Sequence, residues 1–478
     1  MVKMLTDTVS PPISVTDGMG NPIISDMVNV QTLELDGSYL YYLVNSGEER
    51  YPDTVVTIHR KGSPFLIHLE SGAIEPLNHK AMPVGIRLNL TLHPAQSYMI
   101  RVVPNHEELN DSVTATELEL QHAGRQIQQL DERWRIDYID KNSLTLDTCR
   151  YRVEQGEWSK PRPLIFIQEE LLKIGAPVQI ELEFEVAVAF DPLMKRELYL
   201  VLENPEKTKI QVNGNEVASH SCGWWRDVAF KKVDITGCLQ HGRNTIRLAL
   251  NFWNSPETYA AIKRANQFES EANKLTFDSE LESVYIIGDF AVTSESPFVD
   301  GGGGVLFSDG PFILSERPHE CSLAEDLVSQ GLPFFAGSLR LAQTVSICLD
   351  NRAKWLWRFD ARPNAIVTRL TINGQEIHTF LWEPCEVDIS EYLISGENLI
   401  ELELIGSCRN LLGPHHHVKG EPLKVGPDSF KNKPGWTDKD LDPDSPIYQN
   451  RYAFVRYGLS HVPSLVSQNM KPERVRPE

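Results

Sequence analysis

Asn213-Gly214-Asn215-Glu216-Val217 recurs in this chain as Asn373-Gly374-Gln375-Glu376-Ile377. Each copy is followed by a second match. Val233-Asp234-Ile235-Thr236 precedes Leu239, Gly242 and Asn244, and Val387-Asp388-Ile389-Ser390 precedes Leu393, Gly396 and Asn398. From the Val to the Asn is a step of 11 residues in both. An alternating strand then follows, carried by Ile246, Leu248 and Leu250 in one copy and by Ile400, Leu402 and Leu404 in the other. Asn-Gly between alternating apolar runs marks a tight hairpin, because both residues tolerate positive φ. The two Asn-Gly steps lie 160 residues apart. That period is too long for a solenoid or a propeller blade and suits a whole domain. One β-rich unit therefore occurs twice. Neither copy carries a catalytic motif, which points toward binding and scaffolding more than chemistry.

The pattern extends in both directions. Tyr39 to Val44 is aromatic and β-branched, and Val55-Val56-Thr57-Ile58 follows a turn with Gly47 and Pro52. Ile86, Leu88, Leu90 and Leu92 alternate with Arg87, Asn89 and Thr91, the period-two signature of a half-buried strand. Residues 104 to 133 are polar and read as a connection, with a short helix expected near Arg125 to Leu130. From Val178 to Val188 the alternation is clean, and Gln179, Glu181, Glu183 and Glu185 are expected on the solvent face. Ser255-Pro256-Glu257 starts a helix: a Ser cap, Pro at the first helical position, an acid in the first turn. That helix is expected to run about four turns, to about Asn273. Gly301 to Gly304 lacks the following helix that a phosphate cradle needs and reads as a loop. The fold class is thus all-β: a small N-terminal sandwich at 1–110, a second unit at 134–324 and a third at 325–478 with an irregular tail, with one short helical insertion.

The 478 residues allow about three domains of roughly 150 residues each. The formal charge is −20, which repels phosphate backbones and anionic lipid, so no nucleic-acid partner is expected. No apolar run reaches transmembrane length, and no membrane partner is expected. The N-terminus lacks the apolar stretch of a signal peptide. The seven cysteines include no Cys-x-x-Cys and read as thiols in a reducing compartment, so a cytoplasmic location is expected.

Two clusters stand out. His415-His416-His417 suits a metal by residue type, but neighbours in an extended loop alternate in direction, so at most two face one ion. A metal site, a sugar-contacting loop and a packed structural loop all remain open for it. Trp224-Trp225-Arg226 follows the first Asn-Gly turn, and Trp382-Glu383 holds the matching place after the second. Indoles stack on the apolar faces of sugar rings, and Arg or Glu bonds the hydroxyls; core packing is the competing use of Trp. A glycosidase needs two carboxylates about 5 to 10 Å apart. Asp278, Glu280 and Asp289 are candidates by proximity alone. No Gly-x-Ser-x-Gly elbow or nucleophilic Cys context is present.

Leu281 to Phe290 resembles a strand in the C-terminal part of large bacterial glycoside hydrolase-like proteins. Gly331-Leu332-Pro333-Phe334-Phe335-Ala336-Gly337-Ser338-Leu339 resembles the start of their last sandwich, and Asn410-Leu411-Leu412-Gly413-Pro414-His415-His416 its tail. The two repeat copies are similar to galactose-binding-like jelly rolls of glycoside hydrolase family two and its rhamnosidase-like relatives. Tyr41 to Asn45, His68 to Ile74 and Leu90 to Ser97 resemble the β domain that follows the catalytic barrel in such proteins.

The resemblance implies a catalytic barrel N-terminal to this region. A barrel takes about 250 residues of βα alternation, which this chain lacks, so the family's catalytic acids have no position here. The expectation is a non-catalytic, carbohydrate-associated module that binds glycan or supports a catalytic partner or self-association. Its candidate glycan contacts are Trp224, Trp225, Arg226, Trp382, Glu383, His415 and His416. No cofactor or metal is assigned, with a structural calcium of the jelly-roll type left open. The alternatives are a complete glycosidase with acids in an inter-domain cleft, and an assembly protein without ligand.

Overall fold

The computed structural model describes residues 11–24, 28–47, 49–69, 72–104, 125–190, 197–272, 274–350, 353–421 and 435–469. The fold is all-β. The N-terminal sandwich packs two antiparallel sheets. One holds Tyr51–Ile58 and Gly85–Leu92, the other Ser38–Asn45 and Ser97–Val103. Its core, with Tyr41, Leu43, Val56, Ile58, Leu88 and Ile100, is separate from that of the rest.

The two repeat copies form two further sandwiches with one strand order. In the first, Asn215–Val217, Thr208–Val212, Gly242–Phe252, Val178–Val188 and Thr148–Val153 lie side by side. The facing sheet runs Asp227–Asp234, Leu198–Leu202, Val284–Gly288, Asn142–Leu146. In the second, Gln375–Phe380, Val367–Ile372, Gly396–Ile405, Ser338–Ile347 and Arg133–Ile139 repeat the first order. Glu386–Asp388, Ala353–Arg358, Ser464–Asn469 and Arg125–Gln129 repeat the facing order.

The match has a topological consequence. Strands Arg125–Gln129 and Arg133–Ile139 belong to the sheets of the second copy, although they precede the first copy in the chain. The strands at 142–315 are thus inserted within the strand order of the other sandwich. We call them the inner and outer sandwiches. The sequence reading placed Trp134 at the start of the inner unit; its strand pairs instead with Ser338–Ile347.

The repeated motif is repeated bond for bond. Asn213 and Asn373 have φ of 50° and 52°, followed by Gly214 at 81° and Gly374 at 80°, the left-handed pair of a tight hairpin. Asn213 Nδ2 donates to Asn244 Oδ1 at 2.8 Å, and Asn373 Nδ2 to Asn398 Oδ1 at 3.0 Å. Asn244 Oδ1 also accepts Gln240 N–H, and Asn398 Oδ1 accepts Ile394 N–H. Thr236 and Ser390 close the facing sheet, their hydroxyls accepting Leu198 N–H and Trp355 N–H. Buried polar groups need such partners, so the motif conserves a network that pins a hairpin, a loop and a strand together.

Three local expectations are corrected. Residues Arg125–Gln129 form a strand and not a helix, because Ser464–Asn469 offers them a ladder. The helix from Pro256 stops at Ala265, with a separate turn at Glu269–Ala272. Ser255 caps it as expected, but it buries almost nothing, and short helices without tertiary packing are marginal. The acidic row is not simply solvated. Glu183 is buried between Arg150 and Arg247, and Glu181 pairs with Arg152. These three guanidinium groups also face the Trp158 ring at 4.8 to 5.6 Å.

A helix at Leu164–Leu172 escaped the sequence reading. Among the described residues no helix is long and apolar enough to cross a membrane. All seven cysteines are unpaired.

Candidate functional site

The seven sequence-predicted residues fall into three places. Trp224 and Trp225 form a short edge strand beside Asp227–Asp234. Alternation turns them opposite ways. Trp225 is half-buried and packs with Phe230, Tyr285 and Tyr199 against the back of the inner sheet. Trp224 is 56% exposed. Arg226 follows with a left-handed φ of 63°, which aims its guanidinium back over Trp225 at 5.5 Å.

These residues border an open cleft of about 710 Å³ at the seam of the inner and outer sandwiches. Asp140, in the link between outer strand Arg133–Ile139 and inner strand Asn142–Leu146, organises it. Its Oδ1 accepts Tyr138 Oη–H at 2.6 Å. Its Oδ2 accepts Ser338 N–H at 3.0 Å and Arg226 Nη2 at 3.2 Å. Burial alone would raise this carboxyl, but these three bonds outweigh it and hold it below the usual range. Lys141 bonds Glu197 at 2.8 Å and lies 3.9 Å from Asp289. Lys232 lies 4.9 Å from the centre of the Tyr199 ring. The cleft therefore presents one free indole face beside fixed donors and acceptors.

Trp382 and Glu383 lie elsewhere. The segment 381–385 forms no strand, and its Pro384 has no N–H to give to one. Glu383 Oε2 is 3.0 Å from His93 Nδ1, linking the outer sandwich to the N-terminal one. The equivalence expected between Trp382 and Trp224 stops at the hairpins.

The three histidines are buried, His415 to 5% and His416 to 8% exposure. His416 Nδ1 faces the Gln449 and Arg451 carbonyls at 3.0 and 3.1 Å, and its Nε2 faces Asp147 Oδ2 at 3.1 Å. Tyr452 Oη–H donates to Asp147 Oδ1 at 2.7 Å. Burial opposes a charge on Asp147, but His416 and Tyr452 hold its carboxyl down at about 2. His415 donates from Nε2 to the Asn410 carbonyl at 2.8 Å, and burial pushes it down to about 4. Among the described residues no group of three or more His, Cys, Asp or Glu is placed to hold a metal.

Of the acids named by proximity, Asp278 caps the helix at Pro256, accepting Ser255 N–H and Thr258 Oγ1–H. Asp289 lies between Lys141 and Arg317. Sequence reasoning missed Tyr138, Asp140, Lys141 and Lys232. They come from a sheet-to-sheet link and an unremarkable strand, and no spacing announces them.

No family model and no curated protein matches this chain. Among solved structures, it is similar to a rhamnosidase from Novosphingobium sp. PP1Y at 10% identity and a TM-score of 0.37, over 98% of this chain and 26% of that one. It is similar to the Streptomyces avermitilis α-L-rhamnosidase at 10% identity and 0.25, over 95% and 39%. A β-D-mannosidase from Dictyoglomus thermophilum matches at 11% and 0.21, over 56% and 31%. The chain thus spans well under half the length of each of these glycosidases. Likenesses this distant carry no argument about activity or substrate.

Proposed function

We propose that this chain is a non-catalytic carbohydrate-binding module of a glycoside hydrolase lineage. Its two repeated sandwiches are galactose-binding-like jelly rolls, and its glycan lies in the Trp224 cleft. The observation that supports this is the exposed Trp224 indole beside the fixed polar row of Asp140, Arg226, Lys141 and Lys232. A sugar ring stacks its C–H face on the indole, and its hydroxyls bond to that row. The lineage comes from the sequence resemblance. A catalytic partner, or self-association, and a cytoplasmic setting belong to the same proposal.

Isothermal titration against a glycan panel tests it. The expected result is a binding sugar whose affinity falls at least tenfold in Trp224→Ala. A chain that gives no heat with any sugar overturns the reading and leaves an assembly protein. For the rival reading, a complete glycosidase, Asp278 is engaged at a helix cap and Asp289 lies between Lys141 and Arg317, while Glu280 borders a second cavity. Turnover of aryl glycosides by the purified chain would support it.

A further inference from the structure

A second cavity, of about 380 Å³, lies apart from the Trp224 cleft. It is bordered by the helix Leu164–Leu172, by Phe277 to Ser283, by the His415 loop, and by Trp436 and Tyr448. Its walls differ in charge. On one side the Asp147 carboxyl is met by His416 Nε2 and by Tyr452 Oη–H. On the other, Glu280 and Glu282 meet no cation among the described residues. Both carboxyls are pushed up, Glu282 to about 7, first by desolvation and then by neighbouring carboxylates, Glu203 acting on both. By surface area both are exposed, so they stand at the lip, crowded by neighbours without being covered.

Two further features point to an organic ligand. Trp436 and Tyr448 border the cavity with their ring edges, 7% and 2% exposed, held in place by Phe166 at 5.1 and 5.2 Å between centroids. Gln168, 9% exposed, borders the same space. Its Oε1 accepts Leu281 N–H at 3.0 Å, which fixes the orientation of the amide, since a peptide N–H only donates. Its Nε2 is buried and has no acceptor among the described residues. A buried donor without a partner is costly, and a ligand oxygen in this cavity would relieve it.

We propose that this cavity binds an amine-bearing polyhydroxy ligand, an amino sugar being the simplest, with its ammonium group at Glu280 and Glu282. Its ring lies toward Trp436 and Tyr448, and an oxygen accepts from Gln168. This site is independent of the Trp224 cleft. The test is titration of the intact chain with glucosamine and with its neutral twin N-acetylglucosamine, near neutral pH. Glucosamine is expected to bind at least tenfold tighter. That preference is expected to vanish in the double variant Glu280→Gln, Glu282→Gln and to persist in Trp224→Ala. Both glutamates stand at the surface, so the double variant keeps its fold, which its melting curve checks. Equal affinity for the two sugars, no binding, binding unchanged in the double variant, or loss in Trp224→Ala would each overturn the proposal.

Discussion

The inner and outer sandwiches agree where the chain must hold itself together and disagree where it meets solvent. Asn213 and Asn373 make the same bonds to Asn244 and Asn398, within a few tenths of an ångström. Some ten residues after each hairpin the likeness ends. The inner copy projects Trp224 from an edge strand into a cleft, whereas the outer copy places Glu383 against His93 of another domain. The two copies share the hydrogen-bond network and differ in the loops. One copy therefore borders an open cleft and the other joins domains.

The sharpest way to break this comparison is to remove the two anchors. Asn244→Ala and Asn398→Ala each strand buried partners, at about 1–3 kcal/mol per group. Each is expected to cost about 3–4 kcal/mol in chemical denaturation, the two agreeing within about 1 kcal/mol. A large inequality would mean that the copies share sequence without sharing energetics.

Acid tests a feature found on one side only. His415 is held neutral, with its pKa depressed from 6.5 to about 4. The unfolded chain binds that proton first, so stability is full above pH 6.5 and falls as the pH drops toward 4, by about 3 kcal/mol. Asp147 adds a further loss between its unfolded 3.8 and about 2. Denaturation midpoints measured across this range check the sign. In His415→Gln the slope between pH 6.5 and 4 is expected to flatten.

Trp224→Ala against Trp382→Ala sharpens the contrast between loops. The first is expected to weaken glycan binding by about 1–3 kcal/mol with little change in melting temperature. The second is expected to leave affinity unchanged, and comparable losses in titration would erase the asymmetry. The smallest effect belongs to the turns. An added Cβ at Gly214 or Gly374 meets nothing within 4 Å, so Gly→Ala at either site costs only the left-handed backbone, about 1 kcal/mol. Thermal melts of the two variants are expected to coincide.

Much of the scaffold was legible in the sequence. A strand that is half buried writes its alternation directly, as Val178–Val188 does, and Asn-Gly names its own turn. Partnership across the chain leaves no such mark. Nothing local in Arg125–Gln129 says that it pairs with Ser464–Asn469, and its polar composition suggested a helix instead. The candidate site divides the same way. Trp224 and Arg226 drew attention by residue type, while Asp140 matters only because two sandwiches meet at it. Gln168 gains its character from burial, and Glu282 from the carboxylates crowded around it, neither of which sequence spacing encodes.

The insertion of one sandwich into another also sets a timetable. Arg125 pairs with Gln468, so at about 5–20 residues per second the first outer strand waits on the order of 20–70 s on the ribosome for its partner. The inner sandwich emerges whole in that interval and is expected to fold before the outer one. Until the last strand arrives, the outer sheet has an open edge able to pair with a neighbouring chain. Slowing or crowding translation is therefore expected to shift yield from folded chain toward aggregate without altering a single native contact.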